Sequence, residues 1–195
     1  MRRVAITGLG VVSAIGCDIP AFFESLLSAR SGIRPIDIPF PTKTESVLAG
    51  AIDFDPDLHF PRARLLTMDR VSQFALVAGR EAMAQAGLNG AASWPASLVP
   101  ERFGVSMGTG SGGAGSTEVA YTALLEQKVA RLRPMTVVLA MNNAIAAHVS
   151  MEFGLKGPSS TVSNACASSA TSIGEAFRQI RHGYADAMLA GGSEA

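Results

Sequence analysis

Two stretches of this chain share one design: a short, uncharged run stops at small residues, and helix-patterned sequence follows. In the first, Arg102–Met107 empties into Gly108-Thr109-Gly110-Ser111-Gly112-Gly113-Ala114-Gly115. In the second, Ser160–Ser163 ends before Asn164-Ala165-Cys166-Ala167-Ser168-Ser169, after which Ala170, Ile173, Phe177 and Ile180 recur at helical spacing. Strands that pass directly into helices point to an α/β domain whose sheet is covered on both faces.

The rest of the chain fits that class. Val4–Thr7 reads as a buried first strand, halted by Gly8 and Gly10. A helix over Pro20–Arg30 carries Phe22, Phe23, Leu26 and Leu27 as an apolar stripe, with Gly32 beyond its end. Residues 33–64 hold five of the ten prolines and read as irregular chain, with a short strand at Val47–Ile52. Thr67–Ala86 is a second helix that turns Val71, Phe74, Ala75, Ala78, Ala82 and Met83 inward and stops at Gly87. Residues 89–101 read as a loop. Ser116 is placed to cap a helix running to about Arg131, and Thr136–Phe153 is an apolar, hence buried, helix closed by Gly154 and Pro158. The helix after Cys166 runs to about His182, and a strand follows at Ala187–Ala190.

Composition narrows the function. Sixteen basic and sixteen acidic residues give a net charge of zero, which offers no electrostatic case for nucleic acid or an anionic membrane surface. With 48% hydrophobic residues the chain can build a core. Two cysteines, Cys17 and Cys166, do not make a disulfide scaffold, and the N-terminus lacks a signal-like apolar region. A cytoplasmic enzyme is the expectation.

Cys166 is the residue that can carry chemistry. It sits where a strand gives way to a helix, and partial positive charge with free N–H groups at a helix N-terminus stabilises a thiolate. The same N–H groups can hold a developing oxyanion. The residues around it are small, as a thioester cavity requires and as close helix packing also requires. A buried structural cysteine is the competing reading. The glycine stretch 108–115 lacks the Lys-Ser/Thr of a phosphate-binding loop. Gly8-Leu9-Gly10 has Ser13 where a dinucleotide fingerprint needs a third glycine. Both runs read instead as close backbone approaches. Of His59, His148 and His182, His148 lies on the apolar helix as a hydrogen-bonded core residue, and no Cys/His spacing suits a metal.

With these residues in view, the sequence resembles the elongating β-ketoacyl-acyl-carrier-protein synthases of the thiolase-like superfamily. The resemblance runs in order through Val4–Gly10, Ser31-Gly32-Ile33, Phe103–Gly113, Gly154–Ser159, Asn164–Ser169 and Ala190-Gly191-Gly192-Ser193-Glu194-Ala195. It implies the first of two pseudo-duplicated halves: a layered α-β-α unit, with a mixed, mostly parallel five-stranded sheet, filling residues 1–195. It also implies that Cys166 takes an acyl group from a carrier-protein phosphopantetheine thioester. Decarboxylation of malonyl-carrier protein then supplies the carbon that attacks it, with no cofactor beyond the carrier. Ser111 matches a position that shapes the acyl pocket. Met135 and Thr136 fall where relatives place pocket residues from a neighbouring subunit, and Ala165 and Ala167 flank the nucleophile against substrate. Asn164 replaces the usual threonine. The implied partners are an acyl-carrier protein, the C-terminal half and a second subunit. The family's two catalytic histidines lie in that second half, so this chain alone is expected not to complete condensation and to expose apolar surface. Two other readings compete: a non-catalytic, chain-length-type partner, and a cysteine hydrolase using His148.

Overall fold

A computed structural model of the chain describes residues 2–37, 47–90, 93–126 and 128–195. Its centre is β3 (Phe103–Gly108), every residue of which is buried. The pleat sends alternate side chains to opposite faces. Phe103, Val105 and Met107 point into a core with Val71, Ala75, Leu76 and Met83 of α3 (Arg70–Gln85) and Ile145, Ala146 and Val149 of α6 (Ala144–Phe153). Gly104, Ser106 and Gly108 face the other way, and the missing Cβ of Gly108 lets the start of α7 (Ser168–Arg181) settle on the sheet. β4 (Ser159–Val162) and β5 (Ala187–Gly192) flank β3, both parallel to it, in the order β4-β3-β5. The result is the expected helix–sheet–helix layering.

The strands are shared out differently from the expectation of one five-stranded sheet. Among the described residues, three form the parallel sheet. The other two, β1 (Arg34–Ile36) and β2 (Val47–Ala49), make a separate antiparallel pair within the proline-rich stretch. The expected strand at Val47–Ile52 is thus present but shorter, and Pro39 and Pro41 lie outside the described residues. Val4–Thr7 joins no ladder. Its neighbourhood is drawn to α3: the N–H groups of Leu9 and Val11 donate to Gln85 Oε1 (2.6 Å) and Glu81 Oε2 (3.0 Å). Gly8 and Gly10 press on that helix so closely that a Cβ would lie 2.0 and 1.9 Å from the carbonyls of Ala82 and Ala78. A cavity of ≈ 880 Å³ lies between this segment, β5 and α7, lined in part by Ile173, Phe177 and Ile180 of the stripe after Cys166.

Helix boundaries follow side-chain capture. α1 (Ile19–Leu27) starts at Asp18, whose carboxylate accepts from the Ala21 N–H at 2.7 Å. Its apolar stripe is largely uncovered, with Leu27 87% exposed. A short α2 (Arg62–Leu65) precedes α3. α3 ends where Gly87 adopts φ 73°, as a glycine stop should. Ser116 does not cap α4 (Ala114–Leu125) but lies in its first turn, with its N–H and Oγ both donating to Asp69 (3.0 and 2.5 Å). The other oxygen of Asp69 accepts from the Val71 N–H, so one carboxylate serves the starts of both α3 and α4. α4 buries none of its residues and stops at Leu125, short of Arg131. The long apolar helix is two: α5 (Thr136–Ala140) and α6, parted at Met141-Asn142-Asn143 where Met141 turns extended. Gly154 closes α6 at φ 67°. Apolar side chains including Val119, Leu125 and Val137 stand exposed along α4 and α5. No helix among the described residues is long and apolar enough to cross a membrane.

Candidate active site

The carboxyl ends of β3, β4 and β5 are in register, with Gly108 opposite both Val162 and Gly192. At this end of a parallel sheet the chain leaves the ladder, and ligand sites in α/β folds form there. Three segments therefore emerge side by side: Thr109–Gly113, Ser163–Ala167 and Ser193–Glu194. The ladder extends one step beyond the strands, because the Thr109 N–H donates to the Val162 carbonyl and the Ser193 N–H to the Gly108 carbonyl, both at 3.0 Å.

Cys166 stands on the segment that leaves β4, two residues before α7 begins at Ser168. Ala165, immediately before it, takes φ 57°, a left-handed conformation that costs a side-chain-bearing residue about 1–2 kcal/mol. That turn lifts the thiol out, and Cys166 is exposed and unpaired. Within this chain Cys166 is therefore exposed rather than buried. α7 offers its N-terminal end to the same region and carries Arg178 and Arg181 in its last turn, which complements the helix dipole. No side chain caps α7.

Close packing fixes where α7 starts. A Cβ on Gly108 would lie 2.3 Å from the Ser168 carbonyl carbon, and one on Gly192 would lie 2.6 Å from Ser169 Cβ. Both strands end in glycine because the first turn of the helix rests on them. Ser172, fully buried, then ties α7 to β5 through a hydrogen bond from its Oγ to the Gly191 carbonyl at 2.5 Å.

Ser168 braces the turn itself. Its Oγ accepts from the Asn164 N–H (2.8 Å) and shares its proton between the carbonyls of Ala165 (2.7 Å) and Thr109 (3.2 Å). Ser163 Oγ donates to the Gly110 carbonyl (3.1 Å) and accepts from Asn142 Nδ2 (3.2 Å). Asn164 Nδ2 reaches Thr171 Oγ1 at 3.0 Å, so the residue that departs from the usual threonine stitches the turn to α7. Glu194 accepts from the N–H groups of Gly110 (2.5 Å) and Ser111 (3.2 Å).

Of the residues expected at the site, Ser111, Ala165, Cys166 and Ala167 come to this end of the sheet, all of them exposed. Met135 and Thr136 sit at the start of α5. The other end of that helix meets the glycine segment, where a Cβ on Gly113 would lie 1.9 Å from the Leu139 carbonyl oxygen. No hydrogen bond among the described residues joins Met135 or Thr136 to the Cys166 turn. Sequence reasoning missed Asn142, Ser163, Ser168 and Glu194. A polar Asn142-Asn143 pair inside an apolar helix was the available signal for the first.

The histidines serve other parts of the fold. His148 is buried in α6, with Nε2 3.1 Å from the Thr67 carbonyl oxygen. Burial pushes its imidazole below the ordinary range, the Thr67 contact works against that, and the nearby Arg64 charge adds to it. His59 stacks on Phe54, and His182 ends α7 at the far end from Cys166. No hydrogen bond among the described residues links a histidine to the Cys166 turn, so a hydrolase built on His148 finds no geometry here.

The family description "Beta-ketoacyl synthase, N-terminal domain" matches residues 1–195. The chain is 41% identical over 194 residues to Nodulation protein E of Rhizobium sp. (strain N33), covering 100% of this chain and 47% of that protein. It is 37% identical over 196 residues to 3-oxoacyl-[acyl-carrier-protein] synthase 2 of Staphylococcus aureus (strain COL), covering 100% and 46%. Among solved structures, a β-ketoacyl synthase from Burkholderia phymatum STM815 superposes with TM-score 0.80 at 31% identity, over 97% of this chain and 46% of that one. The ishigamide ketosynthase/chain length factor superposes with TM-score 0.85 at 29% identity, over 100% and 48%. The chain spans about half the length of the curated relatives it matches. An exposed cysteine on a strained turn at the carboxyl end of a parallel sheet, and matches along all 195 residues, lead to one statement: this chain belongs to the β-ketoacyl synthase family and carries its N-terminal domain.

Proposed function

We propose that Cys166 is the acyl acceptor of a condensing enzyme that makes 3-oxoacyl thioesters in fatty acid or polyketide synthesis. The observation that carries this is the exposed thiol raised by the left-handed Ala165 at the start of α7. The Cys166 thiolate attacks the carbonyl of an acyl thioester delivered on carrier-protein phosphopantetheine. The carrier thiol leaves, and the acyl group remains on Sγ. Charge on the carbonyl oxygen in that step falls within reach of backbone N–H groups at the helix N-terminus. Malonyl-carrier protein then loses carbon dioxide, and the resulting enolate carbon attacks the acyl-Cys166 carbonyl. The Cys166–acyl bond breaks, giving a 3-oxoacyl thioester two carbons longer.

Ser111, Ala165 and Ala167 border the acyl group in this reading, and Met135 and Thr136 meet a second subunit of a dimer. Decarboxylation draws on residues of a second half of the fold. The carrier requirement is supported by the similarity to a synthase named for 3-oxoacyl-[acyl-carrier-protein]. Substrates on a soluble carrier suit a cytoplasmic setting.

The test uses the full-length protein that carries this chain. Incubation with an acyl-carrier thioester should leave the acyl mass on the peptide containing Cys166, and Cys166→Ala should abolish both the adduct and condensation. Iodoacetamide should label Cys166 at least about tenfold faster than Cys17, as expected for an activated thiol. Equal, slow labelling of both with no acyl adduct overturns the reading, and condensation that survives Cys166→Ala assigns a non-catalytic partner role instead.

A further inference from the structure

Glu194 is the one carboxylate among the described residues that hydrogen-bonds the segments around Cys166, and the acyl-transfer steps above make no use of it. Its Oε2 accepts from the Gly110 N–H at 2.5 Å and lies 3.4 Å from Thr109 Oγ1, while Oε1 accepts from the Ser111 N–H at 3.2 Å. Thr109 Oγ1 in turn accepts from the Gly112 N–H at 3.0 Å. One side chain at the end of β5 therefore holds the whole glycine segment that leaves β3. Consecutive N–H groups converging on one side chain form a backbone nest, whose donors Glu194 satisfies with its two acceptor oxygens.

The segment so held is the wall against which the nucleophile turn rests. A Cβ on Gly110 would lie 2.9 Å from Glu194 Oε2 and 3.9 Å from Ala165 Cα, so Gly110 packs beside both. The Gly110 carbonyl accepts from Ser163 and the Thr109 carbonyl from Ser168, and these two serines bracket Asn164–Ala167. Glu194 thus connects to Cys166 through two hydrogen-bonded steps on either side of the turn.

The geometry points to Glu194 as a positioning residue: by filling the Gly110–Ser111 nest it sets the glycine segment that holds the left-handed Ala165 turn, and through it the direction of the Cys166 thiol. Glu194 touches no reacting atom. The inference rests on Cys166 being the reactive thiol, and a thiol-labelling readout separates it from the acyl-transfer reading.

In the full-length protein, Glu194→Ala leaves two N–H groups without their acceptor. Cys166 alkylation by iodoacetamide should slow about tenfold or more, with Cys17 labelling unchanged, because small misplacements of a reacting group carry large rate penalties. Glu194→Gln keeps one acceptor oxygen, enough for one of the two N–H groups, and should slow Cys166 labelling clearly less than Glu194→Ala does. In acyl transfer, kcat should fall in Glu194→Ala while KM holds. Cys166 labelling in Glu194→Ala within about twofold of the parent overturns the inference. Equal slowing in Glu194→Ala and Glu194→Gln also overturns it, because charge rather than the hydrogen-bond acceptor would then be acting. Should Glu194→Ala fail to fold, Glu194→Asp decides. Shorter by one methylene, it should slow Cys166 selectively, and parent-like labelling overturns the inference. If no acyl adduct forms on the parent while labelling still depends on Glu194, only the acyl-transfer reading fails.

Discussion

At the residue scale, what distinguishes Cys166 from Cys17 is the backbone beneath it. Both thiols are exposed, but only Cys166 follows a left-handed alanine. Replacing Ala165 by valine puts a β-branched side chain at φ 57°, where such residues are true outliers. Ala165→Val should cost about 2 kcal/mol in urea unfolding and slow Cys166 labelling, whereas Ala165→Gly, free of the Cβ penalty, should raise stability by up to about 1 kcal/mol and leave labelling nearly unchanged. Cys166 and its small neighbours were legible in the sequence because a cysteine at a strand–helix junction is a local pattern. The left-handed Ala165 was not, since no local preference of alanine favours that conformation. Ser168, the glycine segment and the first turn of α7 impose it together.

At the scale of elements, the contact between α7 and the sheet decides where that turn can be. Gly108 lies under Ser168, with its missing Cβ only 2.3 Å from helix backbone, and nothing flexible is there to yield. Gly108→Ala should destabilise by about 1–3 kcal/mol through overpacking and weaken Cys166 labelling. Gly174 is the control, on the same helix with nothing within 4 Å of its would-be Cβ. Gly174→Ala should stabilise by about 0.5–1 kcal/mol with Cys166 unaffected, as checked by denaturation midpoint and labelling rate. Element identity was readable where periodicity was strong: α3, β3 and α7 fall close to their expected spans. It failed at 136–153, where Asn142 is pulled out of helix geometry towards Ser163, and at Ser116, whose hydroxyl serves Asp69 instead of its own helix start. Both errors come from partners distant in sequence.

For the molecule as a whole, Asp186 joins the start of β5 to Arg102 just before β3 and to Arg2 near the N-terminus. The hydrogen bond from Arg102, helped by Arg2, lowers its carboxyl to about 2. A carboxylate held below its ordinary value of about 3.8 contributes stability that is complete above that value and is lost as pH falls through about 2. Urea midpoints between pH 5 and pH 2 should therefore drop less steeply in Asp186→Asn than in the parent, and identical slopes would remove Asp186 from the acid response. By itself the amino-acid sequence determined the fold class, the central buried strand, the strand–helix junction that carries Cys166 and the family resemblance, all of which rest on local periodicity and contiguous motifs. Tertiary structure alone decided that Gly8–Val11, just after Val4–Thr7, is held on α3, where Gln85 and Glu81 accept from the Leu9 and Val11 N–H groups. It also decided that Glu194 belongs to the site at all. Three strand ends must lie in register before a carboxylate 84 residues from Gly110 can reach that glycine's N–H, and no spacing within the chain reveals the register.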